Sequence, residues 1–206
     1  MLTLFHAPMS RSSRVRTLID EMGIQDWVDI VPVNIVRQDG TGARDAANPH
    51  PEGKAPCLQH DDTLITESGA VMLYLTTLFP DAGMAPKVGD ASWGEYLTWM
   101  VWYGSVMEPV LIHETMGITH PALTATFRGH EEVAARIRAA LDKGPWLLGE
   151  TFSAADILVH SPYAWFKDAT PDDAVIRDWV ARCSGRASVA RTLAADMALM
   201  DQAVAA

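Results

Sequence analysis

Cysteine is scarce in this chain, with only Cys57 and Cys183 among 206 residues. Two thiols give neither a disulfide framework nor a ligand cluster, which fits a reducing compartment and an expected cytoplasmic location. No Cys-x-x-Cys occurs, so there is no dithiol to cycle. Basic residues are also few, 16 Lys and Arg against 26 Asp and Glu, for a net charge of −10. That balance argues against nucleic acid and against an anionic membrane surface as partners. Long apolar runs are missing. The most apolar stretch, Tyr96 to Met107, is too short to cross a bilayer and runs into Glu108 and Pro109. The opening residues, with His6 and Pro8, lack the charged-then-apolar pattern of a secretory leader. His113, His120, His130 and His160 have no paired ligand spacing, so no metal is expected. GxSxG, Walker and GxGxxG patterns are absent too.

What is present is ample core-forming material, 49% apolar against 20% charged residues. The length suits one large domain or two small ones. The first eighty residues alternate between strand and helix. Leu2 and Leu4 alternate with Thr3 and Phe5, a short strand that stops at Ala7-Pro8. Ser10-Arg11-Ser12-Ser13 then supplies capping hydroxyls before Val15, Leu18, Ile19 and Met22 at helical spacing, and Gly23 is a natural stop. Val28 to Ile35 reads as a second strand, and 37–53 as loop with at most one short helix. Cys57–His60 and Thr63–Thr66 read as a hairpin turning at Asp61-Asp62, followed by a helix from Ser68 to Phe79. The order βαβ, linker, ββα predicts a thioredoxin-like domain over residues 1–80. Pro80, Gly83, Pro86 and Gly89 mark a linker at 81–89. From 90 to 206 strand signals vanish, and helices are expected near 91–115, 122–143, 153–167, 172–184 and 186–204. The fold class is therefore α/β followed by an all-α domain.

Three places can carry chemistry, each with a plainer alternative. The hydroxyls of Ser10, Ser12 and Ser13 lie where a helix N-terminus favours an anion, so one of them can donate to a thiolate or carboxylate; equally, all three can be caps. Gly53-Lys54-Ala55-Pro56 followed by Glu67-Ser68 can pair the Ala55 backbone with an extended ligand, with Ser68 holding a carboxylate and Glu67 an amine. The plain alternative is a turn and an N-cap. Trp93, Tyr96, Trp99, Trp102, Tyr103 and Met107 recur at helical spacing, as core or as the lining of an apolar pocket. Ser153-Ala154-Ala155-Asp156 is a capping box with Phe152 and Ile157 placed for a hydrophobic staple, a structural device. Cys57, in a predicted buried strand, reads as inert.

Taken in order, these pieces resemble a cytosolic glutathione transferase of the bacterial, serine-type kind over nearly the whole chain. The resemblance rests on Ser10 to Val15, Asn48 to Pro56, Glu67-Ser68-Gly69-Ala70 with Leu73-Tyr74-Leu75, and Leu148 to Asp156. Gly104 to Pro109 is similar to the fourth helix of a bacterial and fungal subset. The resemblance implies glutathione as co-substrate, an apolar electrophile, an all-helical domain completing the electrophile site, and a homodimer. It implies Ser10 as the catalytic hydroxyl, four residues before Arg14, with Ser12 as runner-up. Lys54, Ala55, Pro56, Glu67 and Ser68 would hold the tripeptide, with Ala55-Pro56 expected as a cis peptide. Trp99, Trp102, Tyr103 and Met107 would line the electrophile site. Phe5 or His6 stands where tyrosine-type members carry their hydroxyl, Ala55 replaces the commoner valine, and Arg37 to Ala47 matches no family pattern. A glutathione-binding carrier with little turnover is the competing class. Isomerisation, dehalogenation and peroxide reduction would use the same activated sulfur.

Overall fold

Residues 1–205 are described in a computed structural model; residue 206, the last of the expected helical domain, lies outside them. Four strands form one sheet in the order β2-β1-β3-β4: β1 Leu2–His6, β2 Val28–Pro32, β3 Cys57–His60 and β4 Thr63–Thr66. β1 runs parallel to β2 with Leu4 opposite Ile30, and antiparallel to β3 with Leu4 opposite Leu58. Along β1 the period-two alternation buries Leu2, Leu4 and His6 while Thr3 and Phe5 stay half-buried. β2 ends at Pro32, three residues short of the expected Ile35, and Val33 adds one last bond to the His6 carbonyl at 2.9 Å.

Helix α1, Ser13–Met22, turns Val15, Leu18, Ile19 and Met22 into the core. It closes on Gly23 at φ +66°, whose N–H reaches Asp20 while Ile24 N–H reaches Ile19, a Schellman pair. Helix α2, Ser68–Leu78, follows β4. No regular element forms between β2 and β3, so the short helix allowed there is absent. Side chains hold this long segment instead: the Asn34 N–H donates to Asp45, Arg44 to the Pro51 carbonyl, and Asn48 to the Lys54 carbonyl.

The helical part contains α3 Ala91–Trp102, α4 Glu108–Thr115, α5 Pro121–Phe127, α6 His130–Leu141, α7 Ala154–Trp165 and α8 Ala174–Ser184. A π-helical turn, Tyr103–Met107, joins α3 to α4 just before Pro109. Proline lacks the N–H that would bond four residues back, and the widened turn absorbs that break where a bend was expected. The helix expected at 122–143 is two helices, parted at Arg128 with φ +65° and at Gly129, whose N–H is taken by Glu132 at 3.1 Å. Pro162 interrupts α7, and the Leu158 carbonyl it leaves unpaired accepts the Ser161 hydroxyl at 2.9 Å. The Asp156 carboxylate takes four donors: Leu147 N–H at 2.9 Å, Trp179 Nε1 at 3.0 Å, Ser153 N–H at 3.0 Å and Ser153 Oγ at 3.2 Å. Phe152, expected to staple, meets Trp146 edge-on at 4.9 Å.

Two compact units emerge: Met1–Ala82 joined by the chain from Arg186 onward, and Gly83–Gly185. The final helix, α9 Ala187–Ala205, thus belongs with the sheet rather than with the helices that precede it in sequence. It docks on α1 through a polar face. Thr17 bonds Thr192 at 3.1 Å, Asp20 pairs with Arg191, and Glu21 accepts from Arg186 and Ser188. Among the described residues no helix is long and apolar enough to cross a membrane, and no group of three or more His, Cys, Asp or Glu could hold a metal.

Candidate active site

The turn between β1 and α1 is bound from both sides. Met9 adopts φ +52°, a left-handed backbone unusual for a side chain of its size, which costs on the order of 1–3 kcal/mol and needs outside support. Arg37, from the segment after β2, donates to the Pro8 carbonyl at 2.9 Å and the Met9 carbonyl at 3.3 Å. Asp196, from α9, accepts the Met9 N–H at 2.8 Å. Neither clamp is visible in the local sequence.

All three serines of this turn are buried and engaged. Ser10 Oγ donates to the Ala7 carbonyl at 2.7 Å and accepts the Ser12 N–H at 3.1 Å. Ser13 Oγ donates to Asp196 Oδ2 at 2.5 Å. Ser12 Oγ, fully buried, pairs with His6 Nδ1. The other ring nitrogen, His6 Nε2, donates to Asp196 Oδ1 at 2.9 Å, and Arg16 Nη1 reaches the same oxygen at 3.5 Å. Burial alone would raise the Asp196 carboxyl, but hydrogen bonds from His6, Ser13 and Met9 hold it below the ordinary carboxylate range. Asp196 is therefore ionised and can only accept, so Nε2 carries the ring proton. The Nδ1–Ser12 bond then completes a buried chain from Asp196 through the His6 ring to the Ser12 hydroxyl.

A second cluster surrounds Ala55. The Ala55-Pro56 peptide is cis, and neither the N–H nor the carbonyl of Ala55 is hydrogen-bonded among the described residues. Lys54, 65% exposed, pairs with Glu52; that bond first, and the nearby charge of Glu67 as well, raises its pKa, while Arg11 opposes. Glu67 sits immediately before α2 at φ +69°, a further non-glycine residue in the left-handed region, and Ser68 opens the helix, buried. The loop is set from below by His50, whose Nδ1 accepts the Glu52 N–H at 3.0 Å; burial lowers its pKa and keeps it an acceptor. The Gly53 N–H reaches the His50 carbonyl at 2.8 Å, and its φ of +65° suits glycine.

In the helical unit, Trp99 and Trp102 meet edge-on at 5.2 Å, with the Arg136 guanidinium over both rings at 5.1 and 4.7 Å. Tyr103 donates to Glu108 at 3.0 Å from the π-helical turn, and Met107 is buried at its end. Sequence reasoning missed Asp196 and Arg37, and it quoted Asn48 and His50 in the resemblance without giving either a role. Asp196 had a legible signal, since Ser188, Thr192 and Asp196 recur every four residues along an alanine-rich helix.

Residues 4–83 match the N-terminal domain of glutathione S-transferases. Glutathione S-transferase GstA of Escherichia coli O157:H7 is 25% identical over 169 residues, covering 80% of this chain and 82% of that one. Among solved structures, a glutathione S-transferase of Actinobacillus pleuropneumoniae is 20% identical with a TM-score of 0.76, over 93% of this chain and 91% of that one. A glutathione transferase homologue from Sulfitobacter, solved with bound glutathione, is 25% identical with a TM-score of 0.69, over 93% of this chain and 96% of that one. The matched domain, the four-stranded mixed sheet and the helical continuation agree: residues 4–83 match the glutathione S-transferase N-terminal domain, and the chain shares the glutathione transferase fold.

Proposed function

We propose that the N-terminal unit binds glutathione and promotes ionisation of its thiol for attack on an apolar electrophile. The observation that carries this reading is the unpaired Ala55 backbone, set among the charges of Lys54, Arg11 and Glu67. An extended tripeptide can pair with that backbone as an added strand. Its glycyl carboxylate would draw Lys54 from Glu52, and Glu67 with Ser68 would take the amine and carboxylate of the γ-glutamyl end. The strained Glu67 backbone fits a residue held in place for binding rather than for stability.

Ser10 is the proposed donor to sulfur, its hydroxyl donating only to the Ala7 carbonyl while Ser12 is fully buried against His6 and Ser13 is committed to Asp196. A cysteine-like thiol with a pKa of about 8.5 is only about 3% ionised at pH 7, and lowering that by two units takes about 2.7 kcal/mol. A hydrogen bond to a charged sulfur contributes about 1.5–3 kcal/mol, less about 1 kcal/mol for the Ala7 bond that Ser10 gives up. The helix end adds about 0.3–1 kcal/mol. The sum lowers the thiol by roughly one to two pKa units. Any larger acceleration rests on holding the electrophile beside sulfur. The proposed electrophile is apolar, in keeping with the aromatic and methionine content of Trp99, Trp102, Tyr103 and Met107, and the proposed assembly is a homodimer.

One observation favours a second reading. The Ser10, Ser12 and Ser13 hydroxyls already have partners inside the protein, as suits a glutathione-binding carrier with little turnover. Titrating the thiolate absorbance of bound glutathione separates the two. The enzyme reading expects a lowered thiol pKa that Ser10→Ala raises by about one unit and Ser12→Ala leaves closer to wild type. Bound glutathione ionising as it does in water would leave only the carrier.

A further inference from the structure

Three of the four donors on Asp196 come from residues 6–13, the stretch that leads into and forms the β1–α1 turn: His6 Nε2, Met9 N–H and Ser13 Oγ. The fourth, Arg16 Nη1, is the longest at 3.5 Å. Asp196 is 1% exposed and His6 is fully buried, so neither touches a bound ligand in this arrangement. The rest of the α1–α9 contact is made elsewhere, by Thr17 with Thr192, Asp20 with Arg191 and Glu21 with Arg186. Helix docking therefore does not require this carboxylate. The turn does.

We propose that Asp196, acting with His6, is a positioning residue for thiol ionisation: from the C-terminal helix it fixes the backbone and hydroxyl directions of the Ala7–Ser13 turn. The proposal rests on the reading that sulfur lies at this turn. Its bond to Met9 N–H supports a left-handed residue that would otherwise relax, carrying the neighbouring Ser10 with it. Its bond to His6 Nε2 holds the imidazole ring in place, so Nδ1 engages the Ser12 hydroxyl and keeps it turned inward. Its bond to Ser13 Oγ orients that oxygen toward Ser10 N–H, which donates to it at 3.3 Å. Each contact steers one group of the turn, and together they leave Ser10 as the hydroxyl able to exchange an internal partner for an external one.

Charge and position predict opposite signs. A buried carboxylate acting only through its field repels a thiolate, so its removal would make sulfur easier to ionise. A carboxylate acting through the turn does the reverse when lost. The experiment measures the thiol pKa of bound glutathione from thiolate absorbance, and binding of S-methylglutathione by calorimetry, in four full-length proteins. Against wild type, Asp196→Asn is expected to raise the bound thiol pKa by about one unit while S-methylglutathione affinity changes less than about threefold. Ser13→Ala, which removes one donor and leaves the helix docked, is expected to shift it the same way by less, and it serves alone if Asp196→Asn does not fold. Thr192→Val, which weakens α9 docking away from the turn, is expected to lower the melting temperature and leave the thiol pKa unchanged. A fall or no change in the pKa in Asp196→Asn or Ser13→Ala, or an equal rise in Thr192→Val, overturns the proposal. A wild-type chain that binds no glutathione overturns the functional reading and this inference together.

Discussion

The buried carboxylates Asp156 and Asp196 are each held by several donors at once, so removing one leaves a group of donors stranded. Asp156 is the clearest case. Burial, the largest influence, raises its carboxyl pKa, while hydrogen bonds from Leu147, Trp179 and Ser153 pull it down. Asp156→Ala would leave two backbone N–H groups and the Trp179 indole N–H without an acceptor. The expected cost is about 3–5 kcal/mol, a fall in melting temperature of roughly 10 °C for a chain of this size. Asp156→Asn, which keeps one acceptor oxygen, is expected to lose less. Thermal unfolding of the two variants checks this, and a loss below about 1 kcal/mol for alanine would contradict it. The capping box was legible because its residues are neighbours in sequence. The Leu147 and Trp179 bonds were not, because they join residues that only folding brings together.

At the scale of elements, the α1–α9 contact combines helix packing with carboxylate chemistry. Burial alone would raise the carboxyls of Asp20, Glu21 and Asp196. Arg191 and Gln25 on Asp20, Arg186 and Ser188 on Glu21, and His6, Ser13 and Met9 on Asp196 hold all three below their ordinary range. Their folded values therefore lie below the unfolded values of roughly 3.9 for Asp and 4.3 for Glu. The unfolded chain binds more protons, so this stabilisation is complete above the unfolded values and is lost as pH falls through the folded ones. Urea unfolding from pH 6 to pH 3 is expected to show stability falling more steeply in wild type than in Glu21→Gln, and parallel slopes would contradict it. The strands and helices of the first eighty residues were legible from hydrophobic period and turn residues, β3 and β4 to the residue. The partner of α9 was not. An alanine-rich run such as Leu193 to Met200 specifies a helix without specifying what it packs on. The same holds for Arg37 to Ala47, where side chains rather than a periodic pattern define the path.

Across the whole molecule, the proposed function draws on two separate clusters in the N-terminal unit. The Ala55 backbone with Lys54, Glu67 and Ser68 has the chemistry to hold a tripeptide. The Ala7–Ser13 turn, clamped by Arg37 and Asp196, has the polar hydrogens to favour an anion. The first was legible almost completely, because backbone pairing and helix starts leave local marks. The second was legible in its serines alone, since the clamping residues Arg37 and Asp196 reach the turn from 28 or more residues away in sequence. Joining the two clusters through one ligand makes a quantitative demand: binding must release protons. Calorimetric titration of glutathione near pH 7, repeated in buffers of different ionisation enthalpy, measures that release, with S-methylglutathione as the control that has no thiol proton. A thiol lowered to a pKa near 7 predicts release of about half a proton per glutathione and none from the S-methyl control. Binding of both ligands with equal proton release would contradict ionisation at this site.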